Sequence, residues 1–293
     1  MSALPRRLHK RPDCVTPFEI KQYNAEIFVY VNIFLLINKQ ERIVATDTKN
    51  AFYTLEKTYP ISMAMYDLQY RLKPAALLDL LQDMGARNIS GTSFGNKELN
   101  AQNLGWFLVR YRIEFDKYPQ NQTEIKFFTE NRGTQRQSAY RDFEAYTLDD
   151  ERILRATSYW LMVDLDTKSL VNIEQKFPDI AKYQKRENDV VLRKLKPMEN
   201  PDSEVVFHVR YDDLDMNGHV NNVVYMTWAM EALSYEFRNT HTIKAIDIYY
   251  KHEIRYGEDV ISAVKINNDN TTEHLIKNAS TGEELCLIKV EYC

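Results

Sequence analysis

Cysteine is scarce in this chain: Cys14, Cys286 and Cys293 are all it has, an odd number with no ligand-like spacing. A disulfide framework is thereby excluded as the source of stability, and free thiols in a reducing compartment are expected. Glycine is also scarce, with 8 residues in 293 against 19 Tyr and 13 Phe. That balance favours long, well-packed strands, because aromatic side chains suit pleated sheet surfaces. No two of the six histidines have HxxxH spacing, so no metal and no cofactor site is expected. The apolar run Ile27 to Ile37, interrupted by Asn32, is too short for a bilayer span of about 20 residues. A net charge of -4 gives no global attraction to nucleic acid or to an anionic membrane. Arg6, Arg7, Lys10 and Arg11 precede the apolar run in the order of a signal peptide. Their basic stretch is long, however, and no small-residue cleavage site follows. Residues 1–50 therefore read as an unassigned, poorly ordered extension of a cytoplasmic protein.

What is present is a pattern that occurs twice. The length suits two domains at about 150 residues each. Tyr59 to Met65 reads as extended, and Pro74 opens a helix whose stretch Ala75 to Arg87 carries Leu77, Leu78, Leu81 and Met84 on one face. Strand-like runs follow at Trp106–Phe115, Glu124–Glu130, Ser138–Leu148 and Ile153–Asp164. The polar, proline-bearing stretch 166–203 reads as a linker with room for one short helix. The order then returns: an extended Glu204–Tyr211, a helix Val220–Phe237, and strands Ala245–Ile254, Asp259–Ile266, Thr272–Lys277 and Glu284–Glu291. Repeats of 51–165 and 204–293 follow, and at an offset of 148 residues Asp67, Gln69 and Arg71 oppose Asp215, Asn217 and His219. A long apolar helix followed by antiparallel strands predicts an α+β unit with the sheet wrapped around the helix.

The segment Asp213-Leu-Asp215-Met-Asn217-Gly-His219-Val-Asn221-Asn222 carries the chemistry. Acid, amide and imidazole alternate, so an extended backbone turns them the same way. They precede a helix, whose free N–H groups can stabilise an oxyanion. Gly218 lets a substrate carbonyl approach the backbone. Asp and Asn before a helix are often only caps. Against that, the first repeat starts its helix with Gln69 and Arg71, so capping alone did not require Asn217 and His219.

Asp213 to Tyr225 resembles the signature of the acyl-ACP thioesterases of bacteria and plant plastids, which reads Asp-x-Asn-x-His-Val-Asn-Asn before the second hotdog helix. The resemblance runs from about Leu55 to the C-terminus and includes Arg71-Leu-Lys-Pro74. It implies a tandem (double) hotdog fold, hydrolysis of fatty acyl-ACP to fatty acid, and acyl carrier protein as the partner that presents the substrate. By the same resemblance Asp215, Asn217 and His219 match the family's catalytic Asp, Asn and His, and Glu253 its catalytic Glu in the strand after the helix. Plant members carry a Cys after that Glu where this chain has Ile254, which excludes a thiolate there.

Attack by water is then the economical mechanism. Glu253, with His219, is the expected base, and Asn217 holds the carbonyl or the water. Asp215 orients Asn217, and backbone amides at Gly218 and Val220 receive the oxyanion. Leu77, Leu81, Met84 and Trp228 are the candidates for an acyl pocket. Arg132, Arg136 and Arg141, or Lys194 and Lys196, are candidates for a basic surface facing the acidic carrier. A hotdog dehydratase and a non-catalytic acyl-ACP or acyl-CoA binding protein are the alternatives. The internal pairing of repeats suits a monomer, while a homodimer remains open.

Overall fold

The computed structural model describes residues 42–46 and 52–293. Eleven strands among them form a single antiparallel sheet. β1 (Arg42–Thr46) and β2 (Phe52–Pro60) precede helix α1 (Pro74–Ile89) and the short α2 (Asn96–Asn100). β3 (Leu104–Phe115), β4 (Glu124–Gln135), β5 (Ser138–Tyr146) and β6 (Arg152–Asp164) complete the first half. The short α3 (Ile173–Lys176) lies in the connection to β7 (Ser203–His208), which leads into α4 (Asn222–Glu231) and α5 (Tyr235–Thr240). β8 (Ile243–Tyr250), β9 (Asp259–Asn267), β10 (Thr271–Asn278) and β11 (Glu284–Tyr292) follow.

The strand order is β1-β2-β4-β5-β6-β3-β8-β11-β10-β9-β7. Read outward from the β3–β8 seam, the halves match, β3-β6-β5-β4-β2 mirroring β8-β11-β10-β9-β7. The chain is thus an α+β double hotdog. Tyr111 pairs with Ile248 across the seam. From there one residue row runs through Ser158 to Arg141 on one side and through Ile288 to His274 on the other. Of the expected N-terminal extension only Arg42–Thr46 is described, and it pairs with β2 at the sheet edge. The remainder, Cys14 included, lies outside the described residues.

Burial explains why the halves close. α4 buries Val223, Tyr225, Met226, Trp228, Ala229 and Met230, the all-round apolarity of a helix enclosed by its sheet. α1 keeps one apolar face, with Leu77, Leu78, Leu81 and Met84 almost fully buried. The strands alternate as half-buried strands must: on β5 the inward positions are Arg141, Phe143 and Ala145. Ile173, Phe177 and Ile180 from the 166–203 stretch join Ile89, Phe94, Leu99, Leu104 and Met162 in a second small core.

Three sequence expectations differ from the structure. Tyr59 to Met65 is not extended throughout, because β2 stops at Pro60 and Met63–Met65 is a 3-10 turn. The expected helix Val220–Phe237 is two helices, since Ser234 caps the second by accepting from the Phe237 N–H at 3.1 Å. The strand expected to end at Ile254 ends at Tyr250.

Candidate active site

The turn before α4 is built by one carboxylate. Asp215 Oδ1 accepts from the Asn217 N–H at 2.8 Å and the His219 N–H at 3.3 Å. Its Oδ2 accepts from Asn217 Nδ2 at 3.3 Å. Gly218 takes φ +76 in this turn, and a Cβ there would meet nothing within 4 Å, so the approach to the backbone is open. Asn221 caps α4 through the Val223 N–H at 3.3 Å.

The first repeat repeats this backbone as an internal control. Asp67 Oδ1 accepts from the Gln69 and Arg71 N–H groups at 2.8 and 2.9 Å. Tyr70 adopts φ 57 at the position of Gly218. The acid is therefore a turn-former in both halves, and what distinguishes the second is its side chains. In the first, Arg71 donates to the carbonyls of His241 and Arg238 at 2.8 and 2.6 Å, plugging the corresponding space. Tyr118 donates to Leu72 O at 2.7 Å. In the second, that space holds an acid and an imidazole.

Glu253 arrives from an irregular segment after β8, not from the strand itself. The backbone at Lys251 and His252 still bonds Leu285 O at 2.8 and 3.2 Å, after which the chain crosses beside the turn. There the Val220 N–H donates to Ile254 O at 3.1 Å and His219 bridges Arg255. This crossing brings Glu253 Oε2 within 3.2 Å of His219 Nε2, with side chains 45% and 25% exposed. Tyr250 OH donates to Asn222 O at 3.1 Å. Burial, reinforced by the carboxylates of Glu253 and Asp215, raises the Tyr225 phenol far above its usual range, so it stays protonated.

The expected oxyanion donors are corrected by the same hydrogen bonds. Gly218 N–H is taken by Asp215 O at 3.0 Å and Val220 N–H by Ile254 O. Val220 precedes the helix, which begins at Asn222. The amide at a helix start with no protein acceptor is that of Asn222.

Asp215, Asn217, His219, Asn222 and Glu253 line a cavity of about 950 Å³ that extends under the first repeat. The first repeat lines it with Gln82, Gly85 and Ala86 of α1, Trp106 and Leu108 of β3, and Arg141 of β5. Leu77, Leu81, Met84 and Trp228 do not line it: they are core residues at most 3% exposed. Helical periodicity had marked the face that the sheet buries, whereas the cavity faces the smaller and more polar side of α1. Of the candidate basic residues, Arg132 and Arg141 are buried and cannot lie on a docking surface. Arg136, Lys194 and Lys196 are exposed. Cys286 is fully buried, which pushes its thiol well up, and Cys293 is exposed. Among the described residues no group of three or more His, Cys, Asp or Glu could hold a metal ion, and no helix is long and apolar enough to cross a membrane.

Residues 52–181 match the family described as the acyl-ACP thioesterase N-terminal domain, and 197–293 match the acyl-ACP thioesterase C-terminal domain. The chain belongs to the acyl-ACP thioesterase family. It is 28% identical over 226 residues to the chloroplastic oleoyl-acyl carrier protein thioesterase of Coriandrum sativum, covering 68% of this chain but 60% of that protein's length. An acyl-ACP thioesterase structure from Bacteroides thetaiotaomicron superposes with a TM-score of 0.73 at 22% identity, covering 82% of this chain and 98% of that one. The 12:0-ACP thioesterase of Umbellularia californica gives 0.71 at 19%, covering 82% and 97%. These two likenesses concern the acyl-ACP thioesterase fold alone.

Proposed function

We propose that this member of the acyl-ACP thioesterase family hydrolyses fatty acyl thioesters presented on acyl carrier protein, releasing fatty acid and carrier. The observation that carries the reading is the 3.2 Å pair of His219 and Glu253 at a cavity of about 950 Å³. An acid–imidazole pair supplies a base for water, and a cavity of this size is in the range that encloses small-molecule ligands. Buried Cys286 is an unsuitable nucleophile, because only the thiolate attacks and burial disfavours it.

Glu253 and His219 draw the proton from a water that attacks the thioester carbonyl carbon. Charge develops on the carbonyl oxygen, where the Asn222 N–H and the remaining hydrogen of Asn217 Nδ2 receive it. Asp215 fixes the Asn217 amide through its bond to Nδ2. Collapse of the intermediate expels the thiolate of the carrier's prosthetic arm, which takes up the proton. The repeats divide the labour. Residues 204–293 carry the reacting groups, while 51–165 supply Gln82, Gly85 and Arg141 to the acyl cavity. Arg136, Lys194 and Lys196 are the exposed cations offered to the acidic carrier.

A panel of acyl-ACP substrates with a thiol trap tests this reading. Thiol release with at least one chain length is expected. Tight acyl-ACP binding without release from any chain would instead make the protein a carrier-binding module.

A further inference from the structure

Three arginines among the described residues are buried: Arg112, Arg132 and Arg141. Two of them have carboxylate partners. Arg112 meets Asp247 at 2.5 Å, and Arg132 meets Asp142 and, at 2.8 Å, Asp189. Arg141 has none. It is 7% exposed, and both of its side-chain hydrogen bonds leave from Nη1 toward neutral acceptors, Asn88 Oδ1 at 2.7 Å and Thr129 Oγ1 at 3.1 Å. Nε and Nη2 have no protein acceptor, yet Arg141 lines the cavity that holds the His219–Glu253 pair.

Its position is not an accident of a surface strand. On β5 it occupies the inward register with Phe143 and Ala145, where an apolar side chain would be expected. The matching inward position of the second repeat, at the other end of the same residue row, holds His274. Burial pulls that imidazole down to about 3 and keeps it neutral, and it bonds Thr272 at 2.8 Å. The first repeat has placed a permanent cation where the second has a neutral ring. Two donors in this part of the first repeat are buried without an acceptor, Asn88 Nδ2 beside Arg141 and Thr134 Oγ1 on β4, and both are closed off, so the guanidinium is the group that faces the cavity. A hydrocarbon tail against this wall would leave the guanidinium desolvated and short of acceptors, which is costly.

We propose that Arg141 is a specificity site that receives an oxygen acceptor carried on the acyl chain itself, as a hydroxyl, oxo or carboxylate group remote from the thioester. The inference rests on the hydrolase reading above and adds to it the class of chain. On α1, Gln82 Nε2 donates to Asn221 Oδ1 at 3.4 Å beside the reacting groups, and Gly85, about one turn further along, is where a Cβ would stand 3.5 Å from Arg141 Cδ. The oxygen therefore sits along the chain from the reacting carbonyl and not at it. A carboxylate satisfies the guanidinium most fully, because a charge-assisted bidentate pair is the strongest arrangement it can make.

The test compares kcat/KM for acyl-ACP substrates of one length, unsubstituted or bearing a hydroxyl, an oxo group or a terminal carboxyl. The wild-type protein is expected to favour at least one oxygenated chain by about tenfold or more, as a charge-assisted hydrogen bond provides. In Arg141→Met the ratio of oxygenated to plain turnover should collapse toward one. The ratio is read within each preparation, so partial misfolding does not disturb it, and the wild-type ratio stands without any variant. A wild-type ratio near or below one for every oxygenated chain overturns the inference while leaving hydrolysis intact. Preference retained in Arg141→Met overturns it too. Absence of hydrolysis with every chain overturns the hydrolase reading and this inference with it.

Discussion

Gly85 lies in the interior of α1, buried, and on the wall of the cavity that holds the His219–Glu253 pair. A Cβ added there would stand 3.5 Å from Arg141 Cδ, 3.6 Å from Nε and 4.0 Å from Phe143 Cζ, all ordinary contacts. Gly85→Ala should therefore gain the helix propensity difference, about 0.8–1.0 kcal/mol, with no opposing clash. For a protein of this size that is a rise in Tm of roughly 2–4 °C. Gly85→Leu adds four side-chain carbons at the cavity wall and should lower kcat/KM for the longest chains while sparing the shortest. Urea denaturation measures the first effect, and turnover across a chain-length series measures the second. Loss of stability in Gly85→Ala would show that the helix and β5 pack more tightly than the structure has them. An unaltered chain-length profile in Gly85→Leu would refute the claim that this cavity holds the acyl chain.

Two further outcomes are expected. Arg71→Ala leaves the carbonyls of Arg238 and His241 without their guanidinium donor and removes the side-chain pair with Asp67 Oδ2, while the backbone bonds to Oδ1 stay; it should cost about 2–3 kcal/mol in urea unfolding yet leave the acyl-ACP turnover of the folded fraction intact. His274, at about 3 when folded against the ordinary 6.5, refuses a proton that the unfolded chain accepts between those values. Its contribution is complete above about pH 6.5 and is lost as pH falls through that window, by up to about 1.4 kcal/mol per pH unit. His274→Gln should give a correspondingly shallower fall in unfolding free energy between pH 6 and pH 4, and an unchanged slope would contradict its burial as a neutral ring.

Much of the fold was legible because its signals are local. Pro74 at the first turn of α1, the repeated order of elements, and the 148-residue offset between Asp67 and Asp215 each follow from short stretches of chain. The alternation of Asp215, Asn217 and His219 before a helix was legible for the same reason. Three other features depend on chain segments meeting in space. Glu253 reaches His219 only because the Lys251–Arg255 segment leaves the sheet and crosses the turn, and that crossing consumes the Val220 N–H. Leu77, Leu81, Met84 and Trp228 carry a hydrophobic signal, which marks burial without distinguishing a filled core from an open cavity. Arg141 reads along the chain as one more surface cation, and only the register of β5 turns it inward.

The central claim is that His219 and Glu253 act as one unit on a water. A double-mutant cycle of His219→Ala and Glu253→Gln, read as kcat for acyl-ACP hydrolysis, tests it most directly. Each single change should cost about 10²–10⁴-fold, and the double variant should be little worse than the more impaired single, because removing either member already disables the pair. Losses that simply multiply, or a Glu253→Gln protein with full turnover, would contradict the account.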